Sequence, residues 1–155
     1  MRILYRERPM SQLLLAGLVV LLLAGCGDDG GGTGGGGEPP ALKSPVTYER
    51  GGGIAGRRDR LIVQPDGSAS LTTKKGTRAI KLSSAEVEGL ADKLESTDLK
   101  ALPTRSTSPT PIADAFAYRV VYEGKTVDTD QEAMPDELSP LVAELGGLVD
   151  RHGER

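Results

Sequence analysis

The sequence has few of the side chains on which catalytic and metal sites depend. Among its 155 residues there are one cysteine, one histidine, one phenylalanine and no tryptophan. A zinc site takes several cysteine or histidine ligands, and a Ser-His-Asp triad needs a histidine that packing holds rigidly. The sole histidine, His152, belongs to the last four residues, where we expect the chain to be frayed. We therefore expect a protein that is not an enzyme and that has no metal or other cofactor.

Disulfides and large aromatic clusters are also missing. Cys26 is the only cysteine and has no partner for an intrachain disulfide. Aliphatic side chains must therefore supply the core of the domain predicted over residues 41–155. Its aromatic residues are Tyr48, Phe116, Tyr118 and Tyr122.

Neither sign of charge dominates the chain. Lysine and arginine number 19, aspartate and glutamate number 22, and the formal net charge is −3. A nucleic-acid-binding domain usually has a dominant basic face and aromatic side chains that stack on bases, so we expect no nucleic-acid partner. Two short basic clusters are typical of strand edges that are protected against pairing with other chains. They are Arg57, Arg58 and Arg60, and Lys74, Lys75 and Arg78.

A short basic region and a short apolar run come first in the chain. Three arginines among the first eight residues precede an eleven-residue apolar run over residues 13–23, and two small residues lead from it to Cys26. As a helix, such a run extends about 16 Å, whereas the hydrocarbon core of a bilayer is about 30 Å thick. This arrangement is typical of a secretory signal. We therefore interpret residues 1–25 as a signal peptide and not as a spanning helix.

The stretch Leu23-Ala24-Gly25-Cys26 resembles the lipobox of bacterial lipoproteins, in which the cysteine is acylated and becomes the mature N-terminus. The resemblance implies lipidation of Cys26 and attachment, through this N-terminal lipid, to the extracytoplasmic face of the cell membrane. An incidental cysteine beside an ordinary cleavage site is the alternative. Residues 26–40, which are rich in glycine, predict a flexible tether with a reach of about 20 Å. The remaining residues, 41–155, are enough for one small domain.

The first half of this domain predicts an antiparallel meander. Alternating apolar and polar side chains indicate a strand at residues 46–50, and further strands are predicted at 58–64, 68–74 and 77–82. Pro65-Asp66-Gly67 predicts a turn between the second and third strands, because proline presets φ and glycine accepts a positive φ.

A helix is predicted after the meander. Ser83 and Glu86 fit a capping box, in which the side chain of each residue satisfies a free backbone N–H of the other. Apolar residues recur at helical spacing from Val87 to Leu94. The helix should end near Ser96.

A loop, a hairpin and a second helix complete the prediction. Residues 103–113 are rich in proline, serine and threonine and indicate a loop, and strands are predicted at 116–122 and 126–130. The last helix has Ser139 as its predicted cap and Pro140 in its first turn. The predicted fold is α+β, with a single antiparallel sheet (the meander plus the late hairpin) and two helices packed on one face.

Two motifs resemble ligand sites, but a structural interpretation is favoured for each. The run from Gly51 to Gly56 satisfies G-x-G-x-x-G, but a dinucleotide site needs this run to open a helix. A strand is predicted here instead, which favours a glycine-lined bend. Five acidic residues could together bind calcium, but they lack the spacing and glycine of the known calcium loop, which favours a solvated acidic segment. They are Asp128, Asp130, Glu132, Asp136 and Glu137.

Three short patterns resemble those of a known family. They are G-G-G-I-A-G at 51–56, A-D-A-F-A-Y at 113–118 and M-P-D-E-L-S-P-L at 134–141. In order and spacing they are similar to the S-G-G-F-A-G, A-D-x-F-x-Y and L-P-x-x-L-x-P-L patterns of the emfourins, small protein inhibitors of thermolysin-like zinc metalloproteases. The similarity covers residues 46–150. It departs at Gly51 and Ile54, where the family usually has serine and phenylalanine.

The resemblance implies a non-enzymatic inhibitor that blocks the cleft of a secreted metalloprotease sterically. Exposed loops are the natural contact surfaces, and the candidates are the glycine bend and the proline-rich loop over residues 104–114. The alternative is an envelope lipoprotein that acts as a binding or accessory module, without inhibitory activity. The candidate partner-binding residues are Gly51, Gly52, Gly53, Ile54, Ala55, Gly56, Ile112 and Asp114.

Overall fold

The computed structural model describes residues 41–110 and 112–154, which form one sheet of seven strands and two helices. The predicted signal peptide, Cys26 and the predicted tether lie outside these residues. None of the helices described is long and apolar enough to cross a membrane. The elements are β1 (Val46–Gly52), β2 (Arg57–Val63), β3 (Ser68–Thr73), β4 (Gly76–Lys81), α1 (Ser84–Ser96), β5 (Arg105–Ser106), β6 (Phe116–Tyr122), β7 (Lys125–Asp130) and α2 (Ser139–Gly153).

The strands lie in the order β4-β3-β2-β1-β6-β7-β5. Neighbouring strands are antiparallel, except that β5 and β7 are parallel. The late hairpin joins the meander because β6 pairs with the side of β1 that β2 leaves free. The predicted α+β fold is therefore confirmed. The two-residue strand β5 lies within the segment predicted as a loop.

One face of the sheet and both helices enclose an aliphatic core. Val46 and Tyr48 of β1, and Leu61 and Val63 of β2, point into it and are at most 1% exposed. Helix α2 packs on β2 and β3, and α1 packs on α2. Each helix contributes an apolar stripe to the same cluster. The other face of the sheet carries mainly polar side chains, with Ile62 and Val121 among them, and none of the described helices covers it.

The cap of α1 is as predicted, but the end of α2 is not. Ser83 Oγ accepts a hydrogen bond from the Glu86 N–H (3.3 Å), and Glu86 Oε2 accepts one from the Ser83 N–H (2.9 Å). The prediction that His152 is frayed is wrong, because it lies in the last turn of α2 with its side chain 14% exposed. Its Nε2 lies 3.0 Å from Glu86 Oε1, so this contact joins the two helices.

The start of α2 depends on proline and on burial rather than on a side-chain cap. The helix begins at Ser139, and no side chain caps it, so the prediction of Ser139 as the cap is wrong. Pro140 lies in the first turn, as predicted. Leu138, directly before the helix, is fully buried. Apolar packing of this residue therefore fixes where the helix starts.

Gly146 brings α2 close to the sheet. A Cβ atom at this position would lie 3.5 Å from the Tyr48 hydroxyl oxygen and 3.8 Å from Arg50 Nη1. Glycine inside a helix costs about 1 kcal/mol relative to alanine. The close approach of α2 to β1 gives this glycine a packing role that its helix propensity does not suggest.

The arginine cluster of β2 does not protect a strand edge. Arg57, Arg58 and Arg60 all lie on β2, which is an inner strand between β1 and β3. The two lysines of the other cluster lie in the turn between β3 and β4, and only Arg78 lies on an edge strand, β4. The edge-protection interpretation is therefore wrong for the β2 arginines.

Candidate functional site

The structure brings the two predicted partner-binding loops together at one end of the sheet. The glycine bend is the turn between β1 and β2, and the last residues of the proline-rich loop lead directly into β6. Because β6 pairs with β1, the segment before β6 lies beside the turn after β1. The Gly53 N–H donates a hydrogen bond to the Ala115 carbonyl oxygen at 3.4 Å. We call residues 53–56 and 112–115 together the apolar tip.

The apolar tip exposes two large aliphatic side chains. Ile54 is 91% exposed and Ile112 is 52% exposed, and they are the exposed large hydrophobic side chains of the described residues. Asp114 is also exposed, and it forms no hydrogen bond or ion pair with another residue that the structure describes. Both isoleucines would leave water if a partner covered the tip, which favours binding.

Two glycines allow the loops to approach this closely. Gly52 has a φ of +101°, and a Cβ atom there would lie 2.4 Å from the Ala115 carbonyl oxygen. Gly53 has a φ of +70°, and a Cβ atom there would lie 2.7 Å from the ring of Phe116. Side chains are excluded at both positions by backbone conformation and by lack of space. The contact between the two loops therefore requires glycine at positions 52 and 53, which the sequence pattern alone does not indicate.

Further hydrogen bonds hold the β1–β2 turn in one conformation. The Gly56 N–H donates to the Gly53 carbonyl oxygen at 2.8 Å. The Lys74 ammonium group, from the turn after β3, donates to the Ala55 carbonyl oxygen. On the other side, the Ala115 N–H donates to the Ile112 carbonyl oxygen at 3.2 Å. Ile54 and Ile112 therefore project from turns that the rest of the domain supports.

Asp130 holds the proline-rich loop against the end of β7. Its carboxylate accepts hydrogen bonds from the backbone N–H groups of Ser108 (2.6 Å), Glu132 (3.0 Å) and Ala133 (2.8 Å). The hydrogen bond from Ser108 contributes most to lowering the pKa of Asp130 below its ordinary value. The ionised carboxylate is therefore the form that fixes this loop.

A half-buried ionic cluster supports the tip from beneath. Arg50 donates to Asp59 Oδ2 through Nε (3.1 Å) and Nη2 (2.9 Å), and to Asp150 Oδ1 through Nη2 (2.7 Å). Arg57 Nη1 also donates to Asp150 Oδ1, at 3.1 Å. The Arg50 guanidinium lies 5.8 Å from the ring centroid of Phe116, the ring that packs under Gly53. We call Arg50, Arg57, Asp59 and Asp150 the ionic cluster; it joins β1, β2 and α2.

Two of the acidic residues considered for calcium have other roles. Asp128 accepts hydrogen bonds from Arg119 at 2.6 and 3.2 Å, and Asp130 holds the loop. Over residues 41–110 and 112–154, no group of three or more histidine, cysteine, aspartate or glutamate side chains could hold a metal ion. The tip itself offers no nucleophile or base other than Asp114.

One predicted site residue lies apart from the contact between the two loops. Gly51 is in β1, opposite Arg58 of β2 and Ala117 of β6. A Cβ atom there would meet only the Arg57 carbonyl oxygen, at 3.9 Å. Gly51 therefore belongs to the open face of the sheet, whereas Gly52 and Gly53 belong to the contact between the two loops.

Comparison with known proteins adds no family assignment. No family model and no curated protein matches this sequence. The apolar tip and the three short patterns are therefore the features from which a function can be inferred.

Proposed function

We propose that this protein is a lipid-anchored, non-enzymatic inhibitor on the extracytoplasmic face of the cell membrane. Its apolar tip would enter the cleft of a thermolysin-like metalloprotease and exclude substrate. The exposure of Ile54 at the end of a turn that is fixed from both sides carries this proposal. The similarity of the sequence to the emfourin patterns supplies the class of target.

The energetics of the tip suit this mechanism. Burial of an isoleucine side chain contributes about 1.5–3 kcal/mol, and the tip has two such side chains. Gly53, Ala55 and Ala115 all have backbone atoms fixed by hydrogen bonds to other segments. A loop that is already ordered loses less conformational entropy when it docks. Apolar burial and an ordered loop are therefore enough for tight binding, and the inhibitor needs no catalytic group.

The membrane anchor is a separate part of the proposal. Cys26 lies outside the described residues, and the lipobox-like stretch around it supports lipidation. Two or more acyl chains hold a protein stably on a bilayer, whereas a single chain does not. The Cys26→Ser variant should lose both acyl labelling and membrane association in the native host. Membrane-bound, acyl-labelled Cys26→Ser protein would contradict the anchor and leave the inhibitor proposal untouched.

The inhibitor proposal is tested by titration. The full-length protein, in mild detergent, is added to a thermolysin-like metalloprotease that hydrolyses a fluorogenic peptide. We expect activity to fall in proportion to added protein until the two are equimolar, with the inhibitor left uncut. Full activity of several such enzymes at a large excess of the protein would contradict the proposal.

A second candidate function is a binding or accessory module that inhibits nothing. Phe116 and Tyr118 are only partly buried, and with Met134 and Gly146 they line a groove of about 740 Å³ beside α2. Such a groove could receive a side chain of an envelope protein. Co-purification of a partner with the detergent-solubilised protein, together with a negative titration, would favour this function.

A further inference from the structure

Two rows of side chains cross the open face of the sheet. In the first row, Arg58, Gly51, Ala117 and Asp130 lie side by side on β2, β1, β6 and β7. In the second row, positive and negative side chains alternate from strand to strand. That row consists of Arg60, Glu49, Arg119, Asp128 and Arg105.

The second row contains its own ion pairs. Arg60 Nε lies 3.2 Å from Glu49 Oε1, and Arg119 makes the two short hydrogen bonds to Asp128. Glu49 and Asp128 are thus each paired with an arginine of the same row. These pairs fix the positions of the charged groups across the sheet.

Two arginines of this face remain for a ligand. Arg58 and Arg105 form no hydrogen bond and no ion pair within 4 Å with any other residue in the described part of the chain. The two rows together have four arginines and three carboxylates, and the Asp130 carboxylate accepts backbone hydrogen bonds from Ser108, Glu132 and Ala133. The rows therefore carry a net positive charge, although residues 41–155 contain more acidic than basic residues.

The shape of the face is that of a trough. Gly51 and Ala117 form a low floor in the first row, because neither has a long side chain. The concave volume above is about 610 Å³, which is within the size range of ligand sites. We call this volume, with Gly51 and Ala117 as its floor and arginines 58, 60, 105 and 119 around it, the basic trough.

We propose that the basic trough is a second interaction surface, which binds an extended acidic segment of a partner protein. Carboxylates of the segment would pair with the guanidinium groups of Arg58 and Arg105, which are geometrically suited to bidentate contacts. A trough with a floor of small residues fits a narrow polypeptide better than it fits a flat lipid surface. This inference goes beyond the apolar tip and does not depend on whether the tip inhibits a protease.

A fluorescein-labelled peptide of six glutamates is the probe. Its binding to the full-length protein is followed by fluorescence anisotropy at low ionic strength. Arg58→Gln and Arg105→Gln should each weaken binding about fivefold, the upper range for an exposed ion pair, and the double variant about twentyfold. Added salt should weaken wild-type binding, because it screens exposed charges.

A steric variant and a charge control make this test specific. Gly51→Val should abolish binding while retaining the fold, because valine suits a strand and a Cβ atom has space at this position. Lys93→Gln removes the same charge from the exposed surface of α1 and should bind the peptide as wild type does. Circular dichroism and urea unfolding verify that each variant is folded.

Three results would overturn the proposal. They are failure of the wild-type protein to bind the peptide, an equal loss of binding in Lys93→Gln, and unchanged binding in folded Gly51→Val.

Vesicles of equal parts phosphatidylglycerol and phosphatidylethanolamine form a parallel arm. Binding of these vesicles in an Arg58-dependent manner, without binding of the peptide, would assign the trough to a lipid surface and overturn the acidic-segment proposal. Ile54→Asp should leave peptide binding unchanged, which separates the trough from the tip.

Discussion

At the scale of single residues, the glycines of this chain have unequal roles. Gly52 combines a positive φ with the close approach of the Ala115 carbonyl group, whereas Gly89 lies in α1 with no atom within 4 Å of a Cβ position. The sequence pattern 51–56 shows four similar glycines. Only the tertiary contact with the segment before β6 distinguishes Gly52 and Gly53 from their neighbours.

Gly52→Ala should lower the free energy of unfolding by about 2 kcal/mol or more, because alanine there has both an unfavourable φ and a backbone clash. Gly89→Ala should raise it by about 0.5–1 kcal/mol, because alanine favours the helix. Urea unfolding followed by circular dichroism measures both changes. Equal stabilities for Gly52→Ala and wild type would show that the two loops are not held as described.

Ile54→Asp and Ile112→Asp should each weaken protease inhibition about 10- to 100-fold, because an isoleucine that is buried in the complex contributes about 1.5–3 kcal/mol. Neither change should unfold the domain, because both side chains are exposed. The inhibition constant from the protease titration is the measurement. Ala101→Asp, at an exposed position near the opposite end of the β6–β7 hairpin, is the matched control. Unchanged inhibition in both isoleucine variants would remove the tip from the site.

At the scale of elements, local patterns predicted local structure. The capping box predicted the start of α1, alternation predicted β1, and the Pro65-Asp66-Gly67 turn predicted the β2–β3 connection, because all three depend on residues close in sequence. The pattern around Ser139 was misleading, because burial of Leu138 and the presence of Pro140 determine the start of α2. Strand β5 and the roles of Lys74 and Asp130 depend on contacts with distant segments. No local pattern could reveal them.

The tip was partly predictable for the same reason. The sequence indicated both loops, and their exposed isoleucines could be chosen as candidates. Their adjacency follows from the pairing of β6 with β1, which is a tertiary fact. Phe116 belongs to the A-D-A-F-A-Y pattern at 113–118, but only the structure shows that its ring packs under Gly53.

Glu86 gives the contact between the two helices a pH dependence. Burial alone would raise its pKa, but hydrogen bonds from Ser83 and His152 outweigh burial and lower the pKa from 4.5 to about 2. The stabilisation is therefore complete above pH 4.5 and is lost as the pH falls towards 2. Glu86→Gln should reduce the free energy of unfolding at pH 7 by about 1–2 kcal/mol, less than the full pKa shift corresponds to, because solvent screens this partly exposed carboxylate. The difference between the variant and wild type should become smaller at acid pH.

Urea unfolding of wild type and Glu86→Gln at a series of pH values between 7 and about 2.5 measures that difference. Glu88→Gln is a matched control, because Glu88 is exposed on the same helix and has no hydrogen-bond or ion-pair partner among the described residues. It should unfold as wild type does at pH 7. A Glu86→Gln difference that stays constant with pH would contradict the proposed role of the charge.

At the scale of the whole molecule, the ionic cluster connects the hairpin that carries the tip to the C-terminal helix. Asp59→Asn should lower the free energy of unfolding by about 2–4 kcal/mol, because it leaves a partly buried guanidinium without one of its carboxylates. Asp128→Asn, which removes the carboxylate of a more exposed pair, should cost at most about 1 kcal/mol. The side chains of Asp59 and Asp128 are 5% and 21% exposed, respectively. Urea unfolding compares them, and equal costs would contradict a supporting role for the cluster.

The position of β1 in the centre of the sheet also affects how the chain folds. Its partner on one side, β2, follows at once, but its partner on the other side, β6, comes more than sixty residues later. Pairing over such a separation has a large loop-closure entropy and slows folding. The meander can form early, whereas the closed core and the paired loops must wait for the last third of the chain. If the chain is exported by the route proposed above, this delay would leave the core unformed while the polypeptide crosses the membrane.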